Sequence, residues 1–128
     1  MLKKFLFPFF IFQFVVCALP AQNKTVDSLL TLLQNDKPDT NKVIHLNKLS
    51  WEYINIGDYT VALQYGNVAL QLAEQLNFRK AIATAYNNIG VVYYHQGNYD
   101  KALENHLASL KLQWMPPWFY SEQRAQKA

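Results

Sequence analysis

The sequence predicts an all-α protein made of two similar helical hairpins that follow one shorter helix. Two observations support this prediction. The chain aligns with itself at a shift of 40 residues, and residues 44–73 share eight identical positions with residues 84–113. Within both copies, apolar residues recur every three or four positions, which is the spacing of one face of an α-helix. A chain of 128 residues is long enough for one small domain or a short array of repeats.

The first 21 residues have the layout of a secretory signal peptide. Lys3 and Lys4 form a basic start, residues 5–19 are mostly apolar, and Ala21 is a small residue at the boundary where cleavage is expected. The apolar run is shorter than the roughly 20 residues of a membrane span. We therefore expect export to the periplasm or the cell envelope, with cleavage after Ala21. The alternative is a signal that stays uncleaved as an anchor.

Residues 22–42 are expected to form an N-terminal helix and a linker. Thr25 is a candidate N-cap, and the apolar positions that follow it have helical spacing. Residues 36–39 contain Pro38 and two aspartates, which should end this helix. We expect the helix to pack against the first hairpin.

Each hairpin is predicted as two helices joined by a short turn, with the first unit at 43–76 and the second at 79–113. The turn consists of a glycine that ends one helix, an Asp or Asn that caps the next, and a tyrosine (Gly57-Asp58-Tyr59 and Gly97-Asn98-Tyr99). The identical positions of the two copies are Asn47/Asn87, Tyr53/Tyr93, Gly57/Gly97, Tyr59/Tyr99, Ala62/Ala102, Leu63/Leu103, Leu70/Leu110 and Leu72/Leu112.

These units resemble the tetratricopeptide repeat (TPR) family. The second reads Tyr86-x2-Ile89-Gly90-x2-Tyr93 and continues to Ala102, and the first reads Leu46-x2-Leu49-Ser50-x2-Tyr53 and continues to Ala62. Three features depart from the family pattern: Gly66 and His106 replace a later aromatic residue, Glu74 and Trp114 replace the proline that usually ends a repeat, and the period exceeds the usual length of about 34 residues. The resemblance implies a right-handed superhelix of hairpins, in which Ala62 and Ala102 are buried between paired helices.

A narrower resemblance concerns biological context. The stretch from Val26 to Tyr53 is similar to the start of exported TPR regions in bacterial sensor histidine kinases and related signalling proteins, and the run from Ala81 to Leu112 is similar to those regions as well. This resemblance implies an exported protein–protein interaction module that is the sensory or scaffold N-terminal part of a larger signalling protein. The alternative is a stand-alone short TPR protein with a structural, self-associating role.

TPR arrays usually bind ligands on the concave surface formed by the first helix of each hairpin, so the resemblance also implies a binding face. An amide can both donate to and accept from a peptide backbone, and a large aromatic side chain can anchor a ligand. No Lys or Arg lies on the assigned positions, so the carboxylate clamp of some TPR proteins is not expected. The competing interpretation is that the asparagines are ordinary surface residues and that Trp51 packs on the N-terminal helix. Helical spacing assigns to this face Ile44, Asn47, Trp51, Ile54 and Asn55 in the first unit, and Thr84, Asn87, Val91, Tyr94 and His95 in the second. The candidate binding residues among them are Asn47, Trp51, Asn55, Asn87, Tyr94 and His95.

No catalytic, cofactor or metal site is predicted, so an enzyme is not expected. The three histidines (His45, His95 and His106) do not have zinc-site spacing, Cys17 is the only cysteine, and the four glycines are isolated from one another. From Gln22 onward ten basic residues face nine acidic ones, without the basic cluster that nucleic-acid binding needs. The expected partner is therefore a protein or peptide and not a nucleic acid. Contact with a membrane is expected only through an uncleaved signal or a downstream segment.

Residues 114–128 are expected to form an irregular tail, because the pair Pro116-Pro117 stops the last helix of the second hairpin. The tail is interpreted either as an unusual cap or as a truncation point of a longer array. The apolar residues Leu103, Leu107 and Leu110 should lie on an uncovered face unless the tail folds back over it, and the proline pair limits how the tail can turn; we therefore expect self-association through the C-terminal end.

Overall fold

The computed structural model of the protein describes residues 23–127, and all regular secondary structure in this range is helical. The predicted signal peptide lies outside the described residues. No helix between residues 23 and 127 has both the length and the apolar character needed to cross a membrane. The six helices in this range are α1 (Lys24–Asn35), α2 (Thr40–Ile56), α3 (Tyr59–Gln75), α4 (Arg79–His95), α5 (Tyr99–Trp114) and α6 (Pro117–Lys127).

The helices pack as two consecutive hairpins, which confirms the predicted architecture of the repeats. Helix α2 packs on α3, and α4 packs on α5. The two hairpins are joined because α3 packs on α4 and because α2, the first helix of one hairpin, contacts α4, the first helix of the next. Helix α1 packs on α2, as expected of the N-terminal helix. The first helices of the hairpins are therefore direct neighbours, with α1 beside them.

The turns inside the hairpins have the predicted chemistry. Gly57 and Gly97 adopt φ angles of 89° and 77°, in the left-handed region that glycine adopts most easily. Asp58 accepts a hydrogen bond from the backbone N–H of Val61 at 3.2 Å, and Asn98 accepts one from Lys101 at the same distance. Each turn thus ends one helix and caps the next.

The N-cap of α1 differs from the sequence-based expectation. Asn23, and not Thr25, caps this helix, because the Asn23 side chain accepts hydrogen bonds from the N–H groups of Thr25 and Val26. Thr25 therefore lies in the first turn, where its own N–H needs a cap. Helix α2 begins at Thr40 with Asp39 as its N-cap, three residues before the expected start of the first unit.

Small residues bring the helices close together. Ala62 and Ala102 are buried, as predicted. A Cβ atom on Gly66 would lie 3.1 Å from the side chain of Ile89, so the absence of a side chain at position 66 makes room for α4. In the second hairpin His106 takes the equivalent position and packs against Gly90, where an added Cβ would lie 2.8 Å from the imidazole ring.

The C-terminal segment is not the irregular tail that the proline pair suggested. Met115 and Pro116 end α5, but Pro117 begins α6. Proline is well tolerated at the first position of a helix, because its fixed φ is helical and the N–H it lacks would have no partner inside the helix. The guanidinium of Arg79 donates hydrogen bonds to the carbonyls of Leu112 and Met115, at the C-terminal end of α5. Among the residues that the structure describes, no other helix packs against α6.

Candidate functional site

A groove of about 970 Å³ lies between α1, α2 and α4. It forms where α1 lies beside α2 while α4 contacts α2 from another side. The three helices contribute apolar, polar and charged side chains, and Phe78, which precedes α4, adds an aromatic ring. The lining residues are Lys24, Thr25, Ser28, Leu29, Ile44, Asn47, Lys48, Trp51, Glu52, Phe78, Lys80, Ala81, Thr84 and Asn88.

The apolar part of the groove contains a large aromatic side chain that remains open to solvent. Trp51 is 45% exposed and Ile44 is 38% exposed, whereas Leu29 and Ala81 are buried. Aromatic side chains in concave sites provide a large apolar contact area, and tryptophan is enriched among the residues that dominate binding energy at interfaces. Nearly half of the surface of Trp51 is therefore open to solvent within the groove.

Asn47 lies in the wall of the groove and connects the two hairpins. It is 6% exposed, and its side-chain amide donates a hydrogen bond to the carbonyl of Ala81 at 3.1 Å. Its own backbone carbonyl accepts a hydrogen bond from the side chain of Asn88 at 3.0 Å. The Oδ1 atom of Asn47 is buried and has no hydrogen-bond partner within residues 23–127. Asn47 thus holds α2 against α4, and one of its acceptors is left unsatisfied.

Asn88 was not among the residues that the sequence indicated. The repeat alignment pairs Asn47 with Asn87, and helical spacing assigns Asn87 to the binding face. The structure shows that the neighbouring Asn88 is buried against α2. A sequence signal for Asn88 would have been its position relative to Ala81 and Ala85, two buried small residues on the same side of α4.

The groove contains charged residues beyond the positions assigned from the sequence. Lys24, Lys48 and Lys80 all line it, although none of the ten positions that helical spacing assigns to the binding face is Lys or Arg. Those positions cover only one face of each first helix. The observed groove is wider, because it includes the N-terminal turns of α1 and α4. Glu52 is the only carboxylate among the lining residues, so the groove carries a formal charge of +2.

Four of the six candidate binding residues lie outside this groove: Asn55, Asn87, Tyr94 and His95. Asn55 is exposed but is not part of the lining. Tyr94 and His95 lie at the C-terminal end of α4 in an aromatic cluster, where the ring of His95 stacks on Tyr59 with 5.0 Å between centroids. The ring of Tyr94 makes edge contacts with His95 and Tyr99. These two rings therefore form a surface separate from the groove.

The remaining assigned positions divide between the groove and other places. Thr84 lines the groove, as do Ile44, Asn47 and Trp51. Asn87 lies beside a second, smaller depression between α4 and the end of α5. Ile54 is buried in a cluster with Ala62 and Val92, and Val91 packs against that cluster. The structure thus brings together four of the ten assigned residues.

Metal-ligand clusters and the titratable side chains outside the groove are the remaining features of the described part of the chain. Between residues 23 and 127, no three side chains of the types His, Cys, Asp and Glu come together as metal ligands would. His45 Nδ1 lies 2.5 Å from a carboxylate oxygen of Asp36 and connects α2 to the residues that follow α1.

Burial raises the pKa of Tyr65 above its ordinary value. The ring of Tyr53, which stacks on that of Tyr65 with 5.6 Å between centroids, raises this pKa further.

The comparison with known proteins gives a match, which lies in the second hairpin. The family model of the tetratricopeptide repeat matches residues 83–113, which cover most of α4 and nearly all of α5. No curated protein and no solved structure matches the chain. The match spans 31 residues and supports the TPR family, and the hairpin packing is consistent with it. TPR repeats are generally non-catalytic modules that bind proteins or peptides.

Proposed function

We propose that the protein is an interaction module that binds a protein or peptide segment in the groove between α1, α2 and α4. The observation that carries this proposal is the exposure of Trp51 inside a concave, partly apolar site. Repeat proteins use concave surfaces of this kind for binding. The groove volume of about 970 Å³ provides room for several side chains of a bound segment.

The experiment that tests the proposal is a selection of binders from a phage-displayed library of random peptides against the purified protein. We expect the selected peptides to lose affinity for Trp51→Ala by about 30-fold or more, because truncation of an anchoring aromatic residue typically costs about 2 kcal/mol or more. The matched control is Trp118→Ala, since Trp118 is exposed on α6 outside the groove. Peptides that bind Trp51→Ala as well as they bind the unchanged protein would contradict the proposal.

The proposal places this module outside the cytoplasm, as the sensory or scaffold N-terminal part of a larger signalling protein. Its support is the basic start, the apolar run and Ala21 in the sequence, together with the resemblance to exported TPR regions. N-terminal sequencing of the protein made in a bacterial host should give Gln22 as the first residue. Recovery of soluble cytoplasmic protein that begins with Met1 would contradict export.

A second candidate function is self-association through the outer face of α5. Leu103 and Leu110 are 60% and 49% exposed. Their equivalents in the first hairpin, Leu63 and Leu70, are half-buried and pack against clusters that include residues of α4. In the first hairpin a neighbouring helix covers the equivalent face, which supports the proposal that a second copy of the chain covers this face of α5.

Light scattering tests this alternative. The unchanged protein should form dimers or larger species at tens of micromolar, and the double variant Leu103→Glu/Leu110→Glu should be smaller. Ala125→Glu, an exposed position on α6, is the control and should leave the size unchanged. If the double variant and the unchanged protein have the same size, α5 is not the interface.

A further inference from the structure

We propose that the groove selects an acidic segment, whose side-chain carboxylates lie near Lys24, Lys48 and Lys80 while an apolar side chain contacts Trp51. This inference rests on the proposed function of the groove and adds the chemical class of its ligand. It starts from the distribution of charge and not from the overall charge of the chain.

The groove has a net positive charge, whereas the rest of the chain from Gln22 onward does not. Three lysines and one glutamate line the groove. Elsewhere between Gln22 and Ala128, seven basic residues face eight acidic ones, so the rest of this range has a formal charge of −1. A groove of charge +2 attracts anionic ligands and disfavours cationic ones.

The lysines of the groove are available to a ligand. Within residues 23–127 none of the three forms an ion pair, and Glu52 forms none either. Lys24, Lys48 and Lys80 are all exposed. A lysine can keep its ammonium group in water while its aliphatic stem covers apolar surface, so these side chains can contribute to an apolar wall and still carry charge at the rim.

The apolar component favours a peptide over a nucleic acid. The exposed side chains of Trp51 and Ile44 line the same groove as the lysines. Nucleic-acid binding depends on several phosphate contacts from clustered Lys and Arg, and three lysines around an apolar centre are few for that purpose. An acidic, amphipathic peptide matches both the charge and the apolar surface.

The decisive test is the composition of the peptides that bind the groove. From the phage library we would keep only those binders that Trp51→Ala rejects, and compare their residue usage with the unselected library. Peptides fused to the coat protein through their C-terminus have no free terminal carboxylate, so any acidic preference reports side chains. We expect enrichment of Asp and Glu beside an apolar residue, and binding that weakens as salt rises.

Charge reversal provides the matched comparison. The consensus peptide should bind Lys48→Glu/Lys80→Glu at least about tenfold more weakly, because rim charges of opposite sign steer and hold the ligand. The control is Lys37→Glu, an exposed lysine outside the groove, which should change the affinity by less than about twofold since exposed charges far apart are screened.

The possible outcomes separate the two proposals. If Trp51-dependent peptides are found but show no acidic enrichment, or if charge reversal leaves their binding unchanged, the ligand class is wrong and the peptide-binding function stands. If no selected peptide depends on Trp51, the proposed function itself fails. A fluorescein-labelled single-stranded RNA that binds the groove more tightly than the acidic consensus, with the same dependence on Lys48 and Lys80, would also overturn the inference.

Discussion

Asn47 and Asn87 occupy equivalent positions in the two hairpins but have different environments. Asn47 is buried and donates to the carbonyl of Ala81, in the first helix of the following hairpin. Asn87 is exposed and lines a smaller depression between α4 and the end of α5. An asparagine at this repeat position therefore links two hairpins when the first helix of the next hairpin packs against it, as at Asn47. It is a surface residue when no such helix is present, as at Asn87.

This difference gives a test with an internal control. Asn47→Ala removes a buried hydrogen bond between α2 and α4 and should lower the free energy of unfolding by about 1–2 kcal/mol. Asn87→Ala should change it by less than about 0.5 kcal/mol, as is usual for surface substitutions. Urea denaturation followed by circular dichroism measures both. Equal losses in the two variants would show that Asn47 does not connect the hairpins.

The raised pKa of Tyr65 predicts how the free energy of unfolding depends on pH in the alkaline range. Its pKa is raised above the ordinary value of 10.0 because the side chain is partly buried, with Tyr53 as a second cause. The folded state thus holds the phenol proton more tightly than the unfolded chain. The resulting stabilisation is present below pH 10.0 and is lost as the pH rises through the pKa of the folded protein.

The corresponding variant is Tyr65→Phe, which has no proton to lose. Its free energy of unfolding should fall less steeply above pH 10.0 than that of the unchanged protein. Tyr94→Phe, at an exposed tyrosine, is the control and should follow the unchanged protein. Denaturation curves collected below and above this pH measure the difference. If the free energy of unfolding falls equally steeply with pH for Tyr65→Phe and for the unchanged protein, Tyr65 is not the group responsible.

At the residue scale, helical spacing predicted some of the residues that line the groove and missed those that need tertiary information. Helical spacing was sufficient for Trp51 and Thr84, which line the groove. It could not indicate Lys24 or Lys80, because these residues join the groove only when α1 and the start of α4 are brought beside α2. It also placed Tyr94 on the binding face, although Tyr94 lies near the other end of α4.

At the scale of helices, the boundaries that depend on local chemistry were the most predictable. The turns at Gly57 and Gly97 follow from the left-handed conformation of glycine and from the caps that come next. Helix α6 was missed because a pair of prolines ends one helix but is equally compatible with the start of another. A rule that treats proline only as a helix breaker cannot distinguish these two cases.

The turn between α2 and α3 allows a test of this interpretation. A Cβ atom at Gly57 would meet no atom within 4 Å, so Gly57→Ala affects the backbone conformation without creating a clash. Because an L-residue pays about 1–2 kcal/mol in the left-handed region, the variant should lose about that much stability. Gly57→Asn should lose less, since asparagine tolerates this conformation, as Asn77 does at φ 53°. Thermal denaturation of both variants measures the difference, and an unchanged melting temperature for Gly57→Ala would show that the left-handed turn does not limit stability.

At the scale of the whole molecule, the groove depends on the order in which the helices pack. Two hairpins place α2 beside α4, and α1 adds a third wall. The repeat period and the helix spacing were enough to predict the hairpins and the position of α1 on the first of them. The width and the charge of the groove were not predictable, because both arise from residues of different helices that are distant in the sequence.

The central claim is that the groove between α1, α2 and α4 is the ligand-binding surface, and chemical-shift mapping tests it most directly. The ¹⁵N-labelled protein would be titrated with a peptide selected for binding, and the amide shifts assigned to residues. We predict that the largest changes surround Asn47, Trp51 and Thr84. The largest changes around Leu103 and Leu110 on α5, with the groove unaffected, would contradict the account.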